Sequence, residues 1–353
     1  MSTPADLRQA SPATVAAVTR GRTRRNRRRR IVIGILVVLI GAMVAVSLMV
    51  GRTFYPPGDV LKVILGQDVQ GATFTVGRLR LPRTCLAVLA GASFGLGGVT
   101  FQTMLRNPLA SPDIIGISTG ASAAAAVAII TLGLSGSAVS VFAITAGLGV
   151  ALMVYLLAYQ DGVSGIRLIL IGIGIAAMMN SIVSYVLSTA GQWDLQEALR
   201  WLTGSLNGVR WEETVTVLIT MIVLVPVLFL GSRDLTVLQL GDDTASALGV
   251  RVDRTRLLVV VCAVGLIAFA TSATGPIAFL AFLAGPIAAR LAGPGHSLLL
   301  PSALVGALLV LLADFAGQYA FGTRFPVGVV TGVLGAPYLI YLIVRANRAG
   351  GSL

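Results

Sequence analysis

One lysine, one histidine and two cysteines occur in 353 residues, and each scarcity removes a class of function. Lys62 lies outside any glycine-rich stretch, so the chain holds no phosphate-cradling G-x-x-x-x-G-K-[ST] loop and cannot be a P-loop ATPase by itself. His296 stands alone, which excludes a His-based metal centre within the chain, and no metal ligand set is expected. Cys85 and Cys262 each fall in an apolar run, where cysteine reads as a small packing residue and not as a disulfide or metal pair. Charge is scarce too: 11% of residues are charged against 56% hydrophobic, and the mean hydropathy is +0.90. A soluble domain of this length carries far more charge, about 25%. No Ser-His, paired-Asp or metal-ligand constellation can be assembled, so no catalytic residue is assigned and an intramembrane hydrolase ranks last among the readings.

What the chain has in abundance is membrane-grade sequence. Ten apolar runs fit the ruler of roughly 20 helical residues for a hydrocarbon core of about 30 Å. They are 31–50, 84–104, 113–133, 138–159, 167–190, 213–231, 257–275, 277–292, 299–319 and 327–344. The expected fold is therefore all-α and polytopic, with about ten transmembrane helices. The expected organisation is a disordered arginine-rich tail over 1–30, a membrane domain over 31–346 containing a polar loop at 232–256, and a short tail over 347–353. The run 31–50 lacks a small-residue cleavage site and reads as a retained first helix.

The formal charge of +12 would suggest nucleic acid if it were spread over a surface, but nine arginines lie in the first thirty residues. Topology and lipid headgroups account for them better, and no nucleic-acid partner is expected. With ten spans and that end placed inside, 18 of the 26 basic residues fall inside and 8 outside. The positive-inside rule thus supports an even span count and two cytoplasmic termini.

Between the second and third runs stands Arg106-Asn107-Pro108-Leu109-Ala110-Ser111-Pro112, followed by Gly116 and Gly120. Two prolines there break the backbone. Broken backbone at membrane depth must be buried in protein or line a water-filled path, which points to a transporter rather than an anchor. Asp314 is the carboxylate that falls well inside a predicted span. A proton-coupled carrier centred on it is the rival reading, and hydrogen-bonded packing against a neighbouring helix is the simpler role. Energy then comes from outside the chain, and the interruption Ser232 to Arg256 is where it would enter. There Gly241 ends one element, Asp242 or Asp243 can cap the next, and Ala245 and Leu248 share a helical face before Gly249 stops it.

These residues also carry a family resemblance. Arg80-Leu81-Pro82-Arg83, Gln102, the Arg106 to Pro112 motif, Trp201 to Leu206, the Gly241 to Val250 loop, Gly275-Pro276-Ile277-Ala278-Phe279, and Phe325-Pro326-Val327-Gly328 through Gly332 follow in order. From about residue 35 to the carboxyl end the chain resembles the FecCD-like permeases of ABC importers for iron-siderophores, haem and cobalamin. The resemblance implies a type II importer permease in a bacterial cytoplasmic (inner) membrane. It would pair with a second permease, rest on two ATP-binding cassette subunits that hold ATP and Mg, and receive cargo from an extracytoplasmic binding protein. No cofactor would be bound by this chain. Ferric siderophores are the expected cargo, with cobalamin or haem as alternatives.

The same resemblance implies roles for individual residues. Coupling to the ATPases would involve Asp234, Leu240, Gly241, Asp242, Asp243, Thr244, Ala245, Leu248, Gly249 and Val250. Docking of the binding protein would use Arg80, Arg83 and Arg324, because a guanidinium holds a carboxylate bidentately. Gln102, Asn107, Ser118, Met178, Met179, Asn180 and Ser184 would lie along the translocation path. Arg106, Pro108, Pro112, Gly116, Gly275, Pro276, Pro286, Pro326 and Gly328 would shape the fold. One departure stands out: many relatives read Pro-His or Pro-Gln where this chain has Gly285-Pro286, so a polar side chain is lost there.

Overall fold

The computed structural model describes residues 12–159, 165–293 and 295–348, and among them it forms helices and no β-strand. In chain order these are α1 (Pro12–Met49), α2 (Pro57–Ile64), α3 (Leu81–Met104), α4 (Ile117–Ala126), α5 (Ser137–Ala158), α6 (Gly165–Ser188), α7 (Gln192–Leu202) and α8 (Trp211–Leu230). Then follow α9 (Ser232–Val237), α10 (Asp242–Ala247), α11 (Val252–Thr274), α12 (Leu280–Ala292), α13 (Leu299–Tyr319) and α14 (Val327–Arg348). Every one of the ten expected spans coincides with a helix. Seven helical segments are long and apolar enough to cross a bilayer, while Ile117–Thr131, Leu280–Ala292 and Val327–Leu342 are shorter. The chain is a multi-pass membrane protein.

The shortening has a local cause in α4 and α12. Gly116, with φ +80°, starts α4 only after the Pro112 turn, and Gly275 (φ +70°) with Phe279 (φ +61°) breaks the chain between α11 and α12. The four short helices α2, α7, α9 and α10 lie in the connections.

The amino-terminal tail is a correction. Residues 1–11 lie outside the described residues, but from Pro12 the arginine-rich segment continues α1 without a break, giving 38 helical residues and a length of about 57 Å. Arginine is a good helix former, and a segment that extends an existing helix avoids the cost of nucleation. Arg28 anchors it: its Nε donates to the Leu291 carbonyl at 3.0 Å and its Nη2 to that of Arg290 at 2.7 Å. Those are last-turn carbonyls of α12, which have no partner within their own helix. Burial, and then Arg29, Arg25 and Arg22, push the His296 imidazole beside this segment below its ordinary pKa.

At the centre stands α3, more buried than the other spans. In lipid, apolar side chains gain little by meeting each other, so close backbone approach and complementary packing hold helices together. Gly91 and Gly95 of α3 face Gly306 and Ser302 of α13. A Cβ on Gly95 would lie 2.2 Å from the Ser302 carbonyl oxygen, and one on Gly98 only 1.8 Å from that of Ala281. No other residue fits these positions. Around α3 pack α8, α11, α12 and α13, with α4, α5 and α6 forming a second group joined through α11.

Candidate functional site

The two ends of the bundle differ in chemistry. At the α10 end, the chain leaves α3 through a Schellman turn: the Asn107 N–H donates to the Gln102 carbonyl (3.0 Å) and the Arg106 N–H to that of Thr103 (3.2 Å). Arg106 sits at the left-handed position, φ +54°, where glycine is usual. Its side chain supplies a reason for that conformation. Nε donates to the Leu238 carbonyl at 3.0 Å, and Nη2 reaches the Asp242 carboxylate. Arg256 of α11 takes the same carboxylate through Nη2, at 2.9 and 2.7 Å. Two arginines, one in the turn after α3 and one on α11, thus clamp one aspartate at the start of α10. Neither Asp242 nor Asp243, the two caps the sequence offered, caps α10; Gly241 occupies that position with no side-chain bond.

A second Schellman turn closes α10, with Val250 N–H on the Ala245 carbonyl (3.0 Å) and Gly249 N–H on that of Ser246 (2.9 Å), Gly249 having φ +86°. The residues assigned to coupling therefore separate into two groups. Ala245 is fully buried, and Asp242 is braced from within, so both face the bundle. Leu240, Asp243, Thr244, Leu248 and Gly249 are exposed, while Asp234, Gly241 and Val250 are half-buried. Leu240 and Leu248, each 62% exposed, are the apolar points this end presents.

At the opposite end, Arg83 makes a bidentate pair with Asp314, Nε to Oδ2 at 2.9 Å and Nη2 to Oδ1 at 2.7 Å. Its Nη1 donates to Asn207 Oδ1, and Gln318 Nε2 donates to Asp314 Oδ2 at 3.1 Å. Arg80 is equally engaged. It donates to the carbonyls of Leu48 and Met49 at the end of α1 and of Thr53 in the following turn, and its guanidinium lies 5.2 Å from the Tyr55 ring centroid. Arg80 and Arg83 are thus held by this chain's own groups, whereas Arg324 is exposed. Together with Arg52 and Arg200 these residues line a cavity of about 520 Å³ in which Asp314 is the one acidic side chain.

Beside that cavity three motifs distant in sequence meet. Gly328 N–H donates to the Gly204 carbonyl (3.1 Å) and Ser205 N–H to that of Thr274 (2.7 Å). A Cβ on Gly275 would lie 2.2 Å from the Trp201 carbonyl oxygen, and one on Gly328 2.0 Å from that of Thr203. Pro276 and half-buried Pro326 flank this crossing.

The residues assigned to the path are not brought together. Gln102 is buried between α3 and α12, where its Nε2 donates to the Phe282 carbonyl at 3.0 Å. Pro286, four residues after Phe282, has no N–H to offer that carbonyl, so Gln102 supplies the donor the helix lacks. Gly285 leaves the room: a Cβ there would stand 1.9 Å from Gln102 Oε1. The loss of a polar side chain at 285–286 is thus tied to a helix contact made by Gln102. Gln102→Leu should lower thermal stability in detergent by about 1 kcal/mol, because it strands that carbonyl. Pro286→Ala in the same background should recover much of the loss, and a melting series of the two single variants and the double variant checks it.

Asn107 Oδ1 accepts the Leu109 N–H at 2.8 Å, which holds the Pro108 turn. Ser118 is buried and donates to Asp113, whose own N–H donates to Ser111 Oγ beside Pro112 at 3.3 Å. On α6, Met179 packs against the core, whereas Met178 is exposed, as are Asn180 and Ser184, which share a helical face. Reading the sequence missed the Arg83–Asp314 pair and the Asp242 clamp. The signal was a carboxylate inside a span for the first and ionisable residues at span ends for the second, and neither names a partner.

The profile of the FecCD transport family matches residues 35–345. The chain is 39% identical over 326 residues to the ferric enterobactin transport system permease protein FepG of Escherichia coli K12, covering 91% of this chain and 98% of that protein. It is 36% identical over 327 residues to the iron(3+)-hydroxamate import system permease protein FhuG of Bacillus subtilis, covering 90% and 97%. Among solved structures, one described as an inward-facing metal-chelate type ABC transporter superposes with a TM-score of 0.80 at 28% identity, over 90% of this chain and 99% of that one.

Proposed function

Because the chain belongs to the FecCD transport family, we propose that it is the permease subunit of an ATP-driven importer of ferric siderophores, with both termini in the cytoplasm. The observation that carries this reading is the α10 end. A chain whose sequence holds no P-loop presents there a short helix braced by Arg106 and Arg256 and displaying Leu240, Asp243, Thr244 and Leu248. A rigid knob with exposed leucines suits seating in a partner's cleft. Separate ATPase subunits, holding ATP and Mg, would push on it and tilt one permease against another.

The exposed Asn180 and Ser184 of α6 suit a path shared between two permeases, since such polar side chains are poorly matched to lipid. The exposed Arg324, with Arg52 and Arg200 on the same cavity, suits a binding protein that offers carboxylates. Charges of this kind steer encounter more than they supply affinity. The names of the relatives support iron-chelate cargo, and a cobalamin permease from Halobacterium salinarum, 36% identical over 274 residues, keeps cobalamin as the alternative. Asp314 does not suit a proton carrier, because both of its oxygens are engaged by Arg83.

The test is uptake of radiolabelled iron, offered as a panel of ferric siderophores to a strain lacking the gene and to the same strain with it restored. Loss and recovery of uptake for one siderophore is the expected result and identifies the cargo. Full uptake of every siderophore in the deletion strain would overturn the iron assignment.

A further inference from the structure

The cavity at the Arg83 end is strongly basic, yet one of its half-buried arginines, Arg83, is already neutralised. Arg52, Arg80, Arg83, Arg200 and Arg324 line it, and Asp314 is its single acid. Of these arginines, Arg83 alone is paired with a carboxylate. The pair joins helices far apart in sequence, since Arg83 lies in the first turn of α3 and Asp314 in α13, while Asn207 ties the connection between α7 and α8 to the same guanidinium. It is also open to the cavity, with 17% of the arginine and 12% of the aspartate side chain exposed. Arg83 uses three of its five N–H groups on these partners, so a further carboxylate entering the cavity has donors to engage.

We propose that Asp314 is the resident counter-ion of Arg83, and that a carboxylate on the binding protein displaces it during docking. This rests on the reading of the chain as a permease served by a binding protein. Asp314 is then a positioning residue for docking: it holds the guanidinium in a fixed orientation and lowers its net pull until the partner arrives. Docking is an exchange of one carboxylate for another, and Asp314, once released, frees α13 from α3 at this end. The exchange has a sign. On this proposal the competition for Arg83 outweighs the orientation Asp314 gives it, since Asn207 also holds the guanidinium, so removing the Asp314 charge strengthens docking.

The experiment measures the affinity of the purified cognate binding protein, loaded with its ferric siderophore, for the complete transporter in detergent. Asp314→Asn should bind about tenfold more tightly, with most of the gain lost at high salt. Asp68→Asn removes an outer-loop carboxylate that lies outside this cavity and should leave the affinity unchanged. Adding Arg83→Gln to Asp314→Asn should erase the gain. Asp314→Ser, which leaves room for water on Arg83, is the second neutral variant should Asn at this position fail to assemble. Unchanged docking in the neutral variants, or a gain that survives Arg83→Gln, overturns the proposal. Absence of any docking by the unaltered transporter overturns instead the reading of a binding-protein-fed importer.

Discussion

A Gly241→Pro permease is expected to reach the membrane in normal amount and to import at least about tenfold less than the unaltered protein, while ATP hydrolysis by the assembled complex continues. Gly241 has φ +108° and ψ +154°, a conformation that proline, fixed near φ −65°, cannot adopt. Its N–H donates to the Leu238 carbonyl at 3.3 Å, and proline removes that donor. Its own carbonyl accepts from Ala245 at 2.9 Å and so starts α10. Turning the chain elsewhere at this residue withdraws Ala245 from the core and takes Asp242 away from Arg106 and Arg256. A strain of about 3 kcal/mol is more than enough to misplace a six-residue helix held by these few contacts. The membrane core is untouched, because the loop lies beyond the spans. Uptake, ATPase rate and the amount of permease in the membrane, measured together, check the expectation. Normal uptake would remove this loop from coupling.

Gly306→Val is expected to prevent the bundle from forming, at a cost of about 3 kcal/mol or more. A Cβ on Gly306 would lie 2.1 Å from the Gly91 carbonyl oxygen and 3.1 Å from its carbon, and these are backbone atoms that no rotamer change can move aside. The only relief is to separate α13 from α3, which opens the Gly95 contact with Ser302 and pulls Asp314 from Arg83. Little hydrophobic gain opposes the separation, since lipid accepts the exposed side chains as readily as the partner helix does. Gly149→Ala in α5 is the control, because a Cβ there meets nothing within 4 Å. The fraction of protein that remains monodisperse after heating in detergent should drop sharply for the first and not for the second. Equal melting of the two would mean that α3 and α13 are not packed as described.

These two glycines were not equally legible. Gly241 sits in a polar interruption bounded by apolar runs, and its turn, the helix after it and the stop at Gly249 follow from local chemistry. Gly306 looks like any small residue in an apolar run, for membrane helices meet lipid and protein with the same side-chain types. Periodicity therefore marks the spans but not which face of α3 meets α13. For the same reason the Arg83–Asp314 pair, which bridges 231 positions of sequence, left no trace beyond a carboxylate in a span. Gln102 was singled out as polar and assigned to a path, yet its partner is a carbonyl exposed by Pro286 on another helix, a relation that only the packing reveals. The composition of the first thirty residues, rich in arginine and small polar residues, suggested a disordered tail because it was weighed without the helix that residues 12–30 extend.

The central claim is that energy for transport enters from ATPase subunits at the α10 end and not from a proton at Asp314. The most direct measurement is iron–siderophore uptake by the restored strain with vanadate and with a proton uncoupler added separately. The account predicts that vanadate abolishes the uptake that depends on this gene. Uptake that resists vanadate and stops only with the uncoupler would contradict it.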